Sequence, residues 1–256
     1  MGLKETETKG ENDMRDWATE KEKRVAFIRE MLAKSGAKGI IFGNSGGKDS
    51  ALVAALSSYA TENVLGVMMP CASKRNFGED LEDAKKVAEK YGVPCLTVDL
   101  TEVREKLIAA VGEPLTTKGA LSNIAPRLRM TTLYAIAAEK GYLVAGTGNA
   151  SERYMGYFTK YGDGGCDFNP IADLTATEVF DFLRYLGAPA HVVEKAPSAG
   201  LFEGQTDEKE MGVTYAEIDD YIAGKPVSEE AKKIIERYHR SSLHKMTMPP
   251  IYGDEK

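Results

Sequence analysis

Residues 39–55 read Gly-Ile-Ile-Phe-Gly-Asn-Ser-Gly-Gly-Lys-Asp-Ser-Ala-Leu-Val-Ala-Ala. The apolar run Ile40–Phe42 predicts a buried strand. The turn Gly43, Asn44, Ser45, Gly46, Gly47, Lys48, Asp49, Ser50 follows it, and an Ala/Leu-rich helix then opens, with Asp49 or Ser50 suited to cap it. Glycines let the backbone approach an anion, free N–H groups point at it, and the helix dipole adds positive potential. A phosphate is the expected anion. The loop lacks the Walker A order G-x-x-x-x-G-K-[ST], because Asp49 follows Gly46-Gly47-Lys48, and it lacks G-x-G-x-x-G.

Ser45-Gly46-Gly47-x-Asp49-Ser50 after a strand resembles the pyrophosphate loop of ATP pyrophosphatases, which cleave ATP between the α- and β-phosphates and form adenylates. The alternative is an ordinary glycine turn opening a helix.

Outward from this unit, strands and helices alternate. Helical spacing covers Asp16–Lys34, and the first loop's helix runs to about Tyr59. Val64–Met69, Cys95–Val98 and Leu143–Ala145 read as strands. Gly78–Tyr91, Thr101–Val111 and one long helix, Leu121–Lys140, separate them. The expected fold class is therefore α/β, a doubly wound parallel sheet flanked by helices, with ligands at the carboxyl ends of the strands. The loops after Phe42, Met69 and Ala145 should share one crevice. Beyond residue 145 come an irregular Gly- and aromatic-rich stretch, helices at Thr175–Leu186, Tyr215–Ile222 and Ser228–Leu243, and a polar loop over 196–213. No repeat or linker divides the chain, so residues 1–256 are expected to form one domain with a frayed polar stretch at 1–13.

The net charge of −6 argues against broad binding to nucleic acid or an anionic membrane surface. Cys71, Cys95 and Cys166 have no metal-like spacing, so free thiols in a reducing, cytoplasmic setting are expected. The N-terminus lacks a secretory h-region, and no run is long and apolar enough to span a bilayer.

Gly146-Thr147-Gly148-Asn149-Ala150-Ser151-Glu152 is a second Gly-rich loop aimed at the same crevice. Glu152 suits a helix start, where it could simply cap. Beside Asp49 it also supplies what Mg²⁺ takes, a few carboxylate oxygens completed by substrate phosphates.

Gly156–Pro170, Lys195–Glu208, Gly212–Tyr215, Ile218–Tyr221 and His244-Lys245, together with the loops at 45–50 and 146–152, resemble NAD⁺ synthetase in the expected order. The resemblance implies an adenine nucleotide alpha-hydrolase type of Rossmann-like fold. It implies a ligase that adenylates deamido-NAD⁺ with ATP and lets ammonia displace AMP, with Mg²⁺ as cofactor. Asp49 and Glu152 match the family's catalytic metal ligands. Residues 43–50 with Thr147 and Ser198 match its ATP contacts, and Arg127, Lys160, Asp167, His244 and Lys245 its deamido-NAD⁺ contacts. The family also implies a homodimer.

About 38 residues precede the first strand, too few for a glutaminase domain, so ammonia is expected to be used directly. Where relatives carry an ATP-contacting lysine, this chain has Ala176. Another cation (Lys48 or Lys195) substitutes, or ATP binds more weakly, or the residue was changed deliberately. Restoring lysine is expected to tighten ATP binding. Other amide- or thiol-forming ATP pyrophosphatases, and a nucleotide sensor without turnover, remain the rival readings.

Overall fold

The computed structural model describes residues 15–72, 77–194 and 206–253. Four parallel strands form the sheet: β1 (Gly39–Gly43), β2 (Val64–Met68), β3 (Cys95–Thr97) and β4 (Tyr142–Val144). Their order is β3-β2-β1-β4. The chain steps outward from β1 to β2 and β3, then crosses back to place β4 on β1's other edge. The order therefore reverses between β1 and β4, where such sheets open a ligand crevice.

The helices are α1 (Trp17–Ser35), α2 (Lys48–Ala60), α3 (Glu79–Tyr91), α4 (Thr101–Val111), α5 (Lys118–Ser122), α6 (Ile124–Lys140), α7 (Ala150–Met155), α8 (Ala176–Tyr185), α9 (Ala190–Glu194), α10 (Asp207–Met211), α11 (Tyr215–Ile222) and α12 (Glu229–Ser242). Strand alternation sorts them onto two faces. Ile40 and Phe42 turn toward a core shared with Ile28, Leu52, Leu56, Val179 and Phe182, from α1, α2 and α8. Ile41 points the other way, against Val67, Leu133, Ala137 and Val144. A third cluster holds α7, α8, α10, α11 and α12 together through Met155, Ala176, Met211, Tyr215, Ile218 and Ile235.

Local signals set most boundaries. Asp16 caps α1 through its side chain, and Gly36, Gly92 and Gly141 stop α1, α3 and α6 in the left-handed region. Three expectations change, the first being that residues 207–211, expected within the polar loop over 196–213, form α10. The long helix at Leu121–Lys140 is two helices broken at Asn123. Pro126 explains the break: a continuous helix would need its missing N–H to bond Ser122, whereas in the first turn of α6 the proline is tolerated. The cap of α2 is Gly47, with no side-chain cap, rather than Asp49 or Ser50. Among the described residues, Gly47 N–H donates to Ser45 Oγ but no side chain caps the N–H groups of Lys48, Asp49 and Ser50, which suits an anion.

Among the described residues, no helix is long and apolar enough to cross a membrane.

Candidate active site

The phosphate loop lies at the carboxyl end of β1, over a cavity of about 660 Å³. Every residue from Gly43 to Ser50 except Gly46 lines that cavity. Gly46 is turned outward at φ +75°, and a Cβ there would come within 2.5 Å of the Asp80 carbonyl oxygen. This close approach seats the loop on the first turn of α3. Asn44 adds a second tie, donating through Nδ2 to the Ala84 carbonyl at 2.9 Å.

The loop after β4 supplies the opposite wall. Thr147, Gly148 and Glu152 line the cavity, as the sequence led one to expect. Asn149 and Glu152 form a capping box: the Asn149 amide N–H donates to Glu152 Oε2 at 3.2 Å, and the Glu152 N–H donates to Asn149 Oδ1 at 3.0 Å. Capping and site duty therefore coexist. One Glu152 oxygen caps, while Oε1 lies 3.9 Å from Lys48 Nζ. Asn149 also reaches Asp49, donating through Nδ2 to Oδ1 at 3.0 Å. Lys48 Nζ sits 2.5 Å from the other oxygen, Asp49 Oδ2.

Lys48 is buried, with its ammonium facing the rings of Phe180 and Tyr215. Burial alone would lower its pKa, but Asp49, Glu152 and Asp207 outweigh that and raise it, keeping the ammonium charged. Glu152 shifts up, first through burial and then through the Asp49 charge, with Lys48 opposing. Two carboxylates thus already share one cation. Among the described residues, no group of three or more His, Cys, Asp or Glu is arranged to hold a metal ion unaided. A Mg²⁺ bound by Asp49 and Glu152 would draw its remaining ligands from water and phosphate, its ordinary habit.

The far end of the cavity is built from the aromatic-rich stretch. Tyr157, Phe158, Thr159, Asp163 and Cys166 line it with Lys245, whose Nζ donates to the carbonyls of Gly156 (2.8 Å) and Phe158 (2.9 Å). These bonds tie the 3₁₀ turn after α12 to the loop. At the surface beside it, Arg127 Nε donates to the Lys160 carbonyl (3.3 Å), and Lys160 Nζ donates to the His244 carbonyl (2.5 Å). The structure therefore brings Arg127, Lys160, His244 and Lys245 together, but only Lys245 lines the cavity. Asp167 stands apart at the sheet edge, accepting from Tyr134 Oη (3.1 Å) and the Val144 N–H (2.7 Å). Ser198 lies outside the described residues, as does most of the loop at 73–77 and most of 197–208.

Arg129, Asp163 and Asp207 also line the cavity and were not among the expected site residues. Arg129 donates to the Met69 carbonyl at 3.0 Å, and desolvation lowers its pKa. Arg127 and Arg129 are two apart, so one helix cannot aim both inward, but only the packing of the helix on the sheet selects Arg129. The cavity wall raises the pKa of the Asp163 carboxyl, although the residue stays open to solvent through the cavity. Asp207 is buried and accepts from Tyr215 Oη at 3.1 Å. It lies in the run Lys195–Glu208 that resembles the family, where nothing singled it out from its neighbours.

The family model described as NAD synthase matches residues 20–249. The NH(3)-dependent NAD(+) synthetase of Carboxydothermus hydrogenoformans is 48% identical over 242 residues, covering 92% of this chain and 98% of that protein. Among solved structures, the NMN synthetase of Francisella tularensis aligns with a TM-score of 0.89 at 36% identity, over 94% of this chain and all of that one. The NH3-dependent NAD synthetase of Campylobacter jejuni subsp. jejuni aligns with a TM-score of 0.76 at 32% identity, over 93% and 99%.

Proposed function

This chain belongs to the NAD synthase family, and from that premise we propose that it amidates deamido-NAD⁺ to NAD⁺ with ATP and ammonia. The observation that carries the reading is one cavity. It holds the uncapped N-terminus of α2, the Asp49–Glu152 pair and the Lys245-tied aromatic loop.

The chemistry needs those parts in one place. A carboxylate resists nucleophilic attack, because oxide must leave and its charge repels the nucleophile. Transfer of AMP onto it makes a mixed anhydride with a good leaving group. The loop at 43–50 receives the departing pyrophosphate through backbone N–H groups at a helix start. Asp49 and Glu152 would hold Mg²⁺, which would neutralise charge on the leaving phosphates. Thr147 would touch ATP from the facing wall, and Ser198 is assigned a further ATP contact. Lys245 secures the far wall, where deamido-NAD⁺ would lie; Arg127, Lys160 and His244 form the rim beside it. Asp163 lines the same wall and accepts from the Thr159 N–H at 3.0 Å, which fixes the loop there. Asp167, assigned a further deamido-NAD⁺ contact, is exposed and holds β4 through the Val144 N–H.

The test is direct. Purified protein with ATP, Mg²⁺, ammonium and deamido-NAD⁺ should form NAD⁺, AMP and pyrophosphate in equal amounts, and Asp49→Asn should abolish this. Pyrophosphate release without dependence on deamido-NAD⁺ would refute the assignment. Glutamine should not replace ammonium.

The nearer structural match to an NMN synthetase, 0.89 against 0.76, favours a second reading in which the corresponding acid mononucleotide is the substrate. The two acids compared at equal concentration decide it by kcat/KM.

The homodimer reading finds support in α4. Val103, Leu107 and Val111 recur every fourth residue and are exposed, and α4 has no buried residue. A second copy of this chain is the proposed cover. Cytoplasmic residence fits three free cysteines and the nucleotide substrates.

A further inference from the structure

We propose that Lys48 is a resident counter-ion that keeps divalent metal off Asp49 and Glu152 until a polyphosphate draws its ammonium away. The inference rests on the adenylation reading above. It starts from a count of oxygens. Asp49 Oδ1 is held by Asn149 Nδ2, and Glu152 Oε2 by the Asn149 N–H. The oxygens left for a metal are Asp49 Oδ2 and Glu152 Oε1. Lys48 Nζ faces both, at 2.5 and 3.9 Å.

With Nζ 2.5 Å from Asp49 Oδ2, a Mg²⁺ at about 2.1 Å from that oxygen would lie no more than about 4.6 Å from the ammonium. Like charges so close inside a buried site repel strongly. Nor can the ammonium simply withdraw. Its side chain is 4% exposed, and the rings of Phe180 and Tyr215 lie beside it. A buried ammonium without an anionic partner is costly. Asp207 already attracts it, and a polyphosphate at the phosphate loop of which it is part brings far more negative charge. A polyphosphate at the N-terminus of α2 lies beside Lys48, which can then exchange carboxylate for phosphate. Metal and nucleotide would therefore enter as a unit, and the metal pair would stay closed without nucleotide.

Free Mn²⁺ can be followed by its electron paramagnetic resonance signal, with no turnover required. The wild-type protein should bind Mn²⁺ weakly alone and at least ten times more tightly with the unreactive analogue α,β-methylene-ATP. Lys48→Met should bind Mn²⁺ at least ten times more tightly than wild type without nucleotide. Asp49→Asn added to Lys48→Met should remove that gain. Lys48→Arg, which keeps the charge, should stay weak. If Lys48→Met does not fold, Lys48→Gln replaces it. Unchanged nucleotide-free affinity in the neutral variants, beside normal binding with the analogue, would overturn the counter-ion role alone. Absence of Mn²⁺ binding in every variant, analogue included, would overturn the metal site and with it the reading beneath.

Discussion

Gly46→Ala and Gly47→Ala place the same methyl group on neighbouring residues of the phosphate loop, with opposite expected results. Gly46 has φ +75°, and its new Cβ would sit 2.5 Å from the Asp80 carbonyl oxygen, 2.9 Å from the Ala84 nitrogen and 3.1 Å from Asp83 Cβ. The left-handed conformation costs an L-residue about 1–2 kcal/mol. Opening the closest contact to van der Waals distance moves loop and α3 apart by about 0.7 Å, a strain of about 1–3 kcal/mol. Lower entropy of the unfolded chain returns less than about 1 kcal/mol. The net loss is about 3 kcal/mol. For a chain of this size that lowers Tm by about 6–10 °C. Gly47 has φ −85°, and its Cβ would meet only Ser45 Oγ, at 3.3 Å. As the cap of α2 it loses a few tenths to about 1 kcal/mol on becoming alanine, offset by the same entropy term. Scanning calorimetry of the two variants beside wild type reads the difference. The displaced loop in Gly46→Ala should also cost up to about 100-fold in kcat/KM for ATP. Melting temperatures within 2 °C of each other (set against ~2–4 °C per kcal/mol) would refute the claim that close seating on α3 shapes the loop.

Three further outcomes follow from the packing. Ala176 is fully buried in a cluster with Tyr215 and Met211, on the helix whose Phe180 faces Lys48, so a lysine there would compete with Lys48 for one buried space. Ala176→Lys alone should lower Tm and raise the ATP KM by crowding a second ammonium against the first, and Lys48→Met should recover at least half of both losses; a double variant no better than the single would sink this. Asp173→Asn should cost about 1 kcal/mol at pH 7, discounted because Asp173 is half exposed although Arg24 is buried. Burial raises the Asp173 pKa, but hydrogen bonding and charge from Arg24, then Arg15, outweigh it and leave the carboxyl below its ordinary 3.8. Its stabilisation is therefore complete above that value and is lost as pH falls through the lower folded value, so the gap between variant and wild type in urea titrations should close on acidification. Wild-type protein should sediment at micromolar concentration as the proposed dimer and Leu107→Glu as a monomer, and a mass unchanged by the substitution would remove α4 from the proposed interface.

The sequence by itself determined the elements and the chemistry of the loop. Short continuous apolar runs marked the four strands, because a parallel strand covered by helices is buried on both faces, and period-3.6 patterns marked most helices. Gly36, Gly92 and Gly141 marked stops through local backbone geometry. Ser45–Ser50 and Glu152 were legible because strand, glycine turn and helix start are consecutive in the chain. Relations across distant segments were not. That Glu152 divides its two oxygens between a cap and Lys48, that Arg129 rather than Arg127 faces the cavity, and that Asp207 closes the site from beside Tyr215 depend on how helices pack on the sheet. Asp167 shows the same limit from the other side, since only the fold turns its carboxylate onto β4. A charge's partner is fixed by distances through space, and in this chain those cross about 100 residues between Asp49 and Asn149.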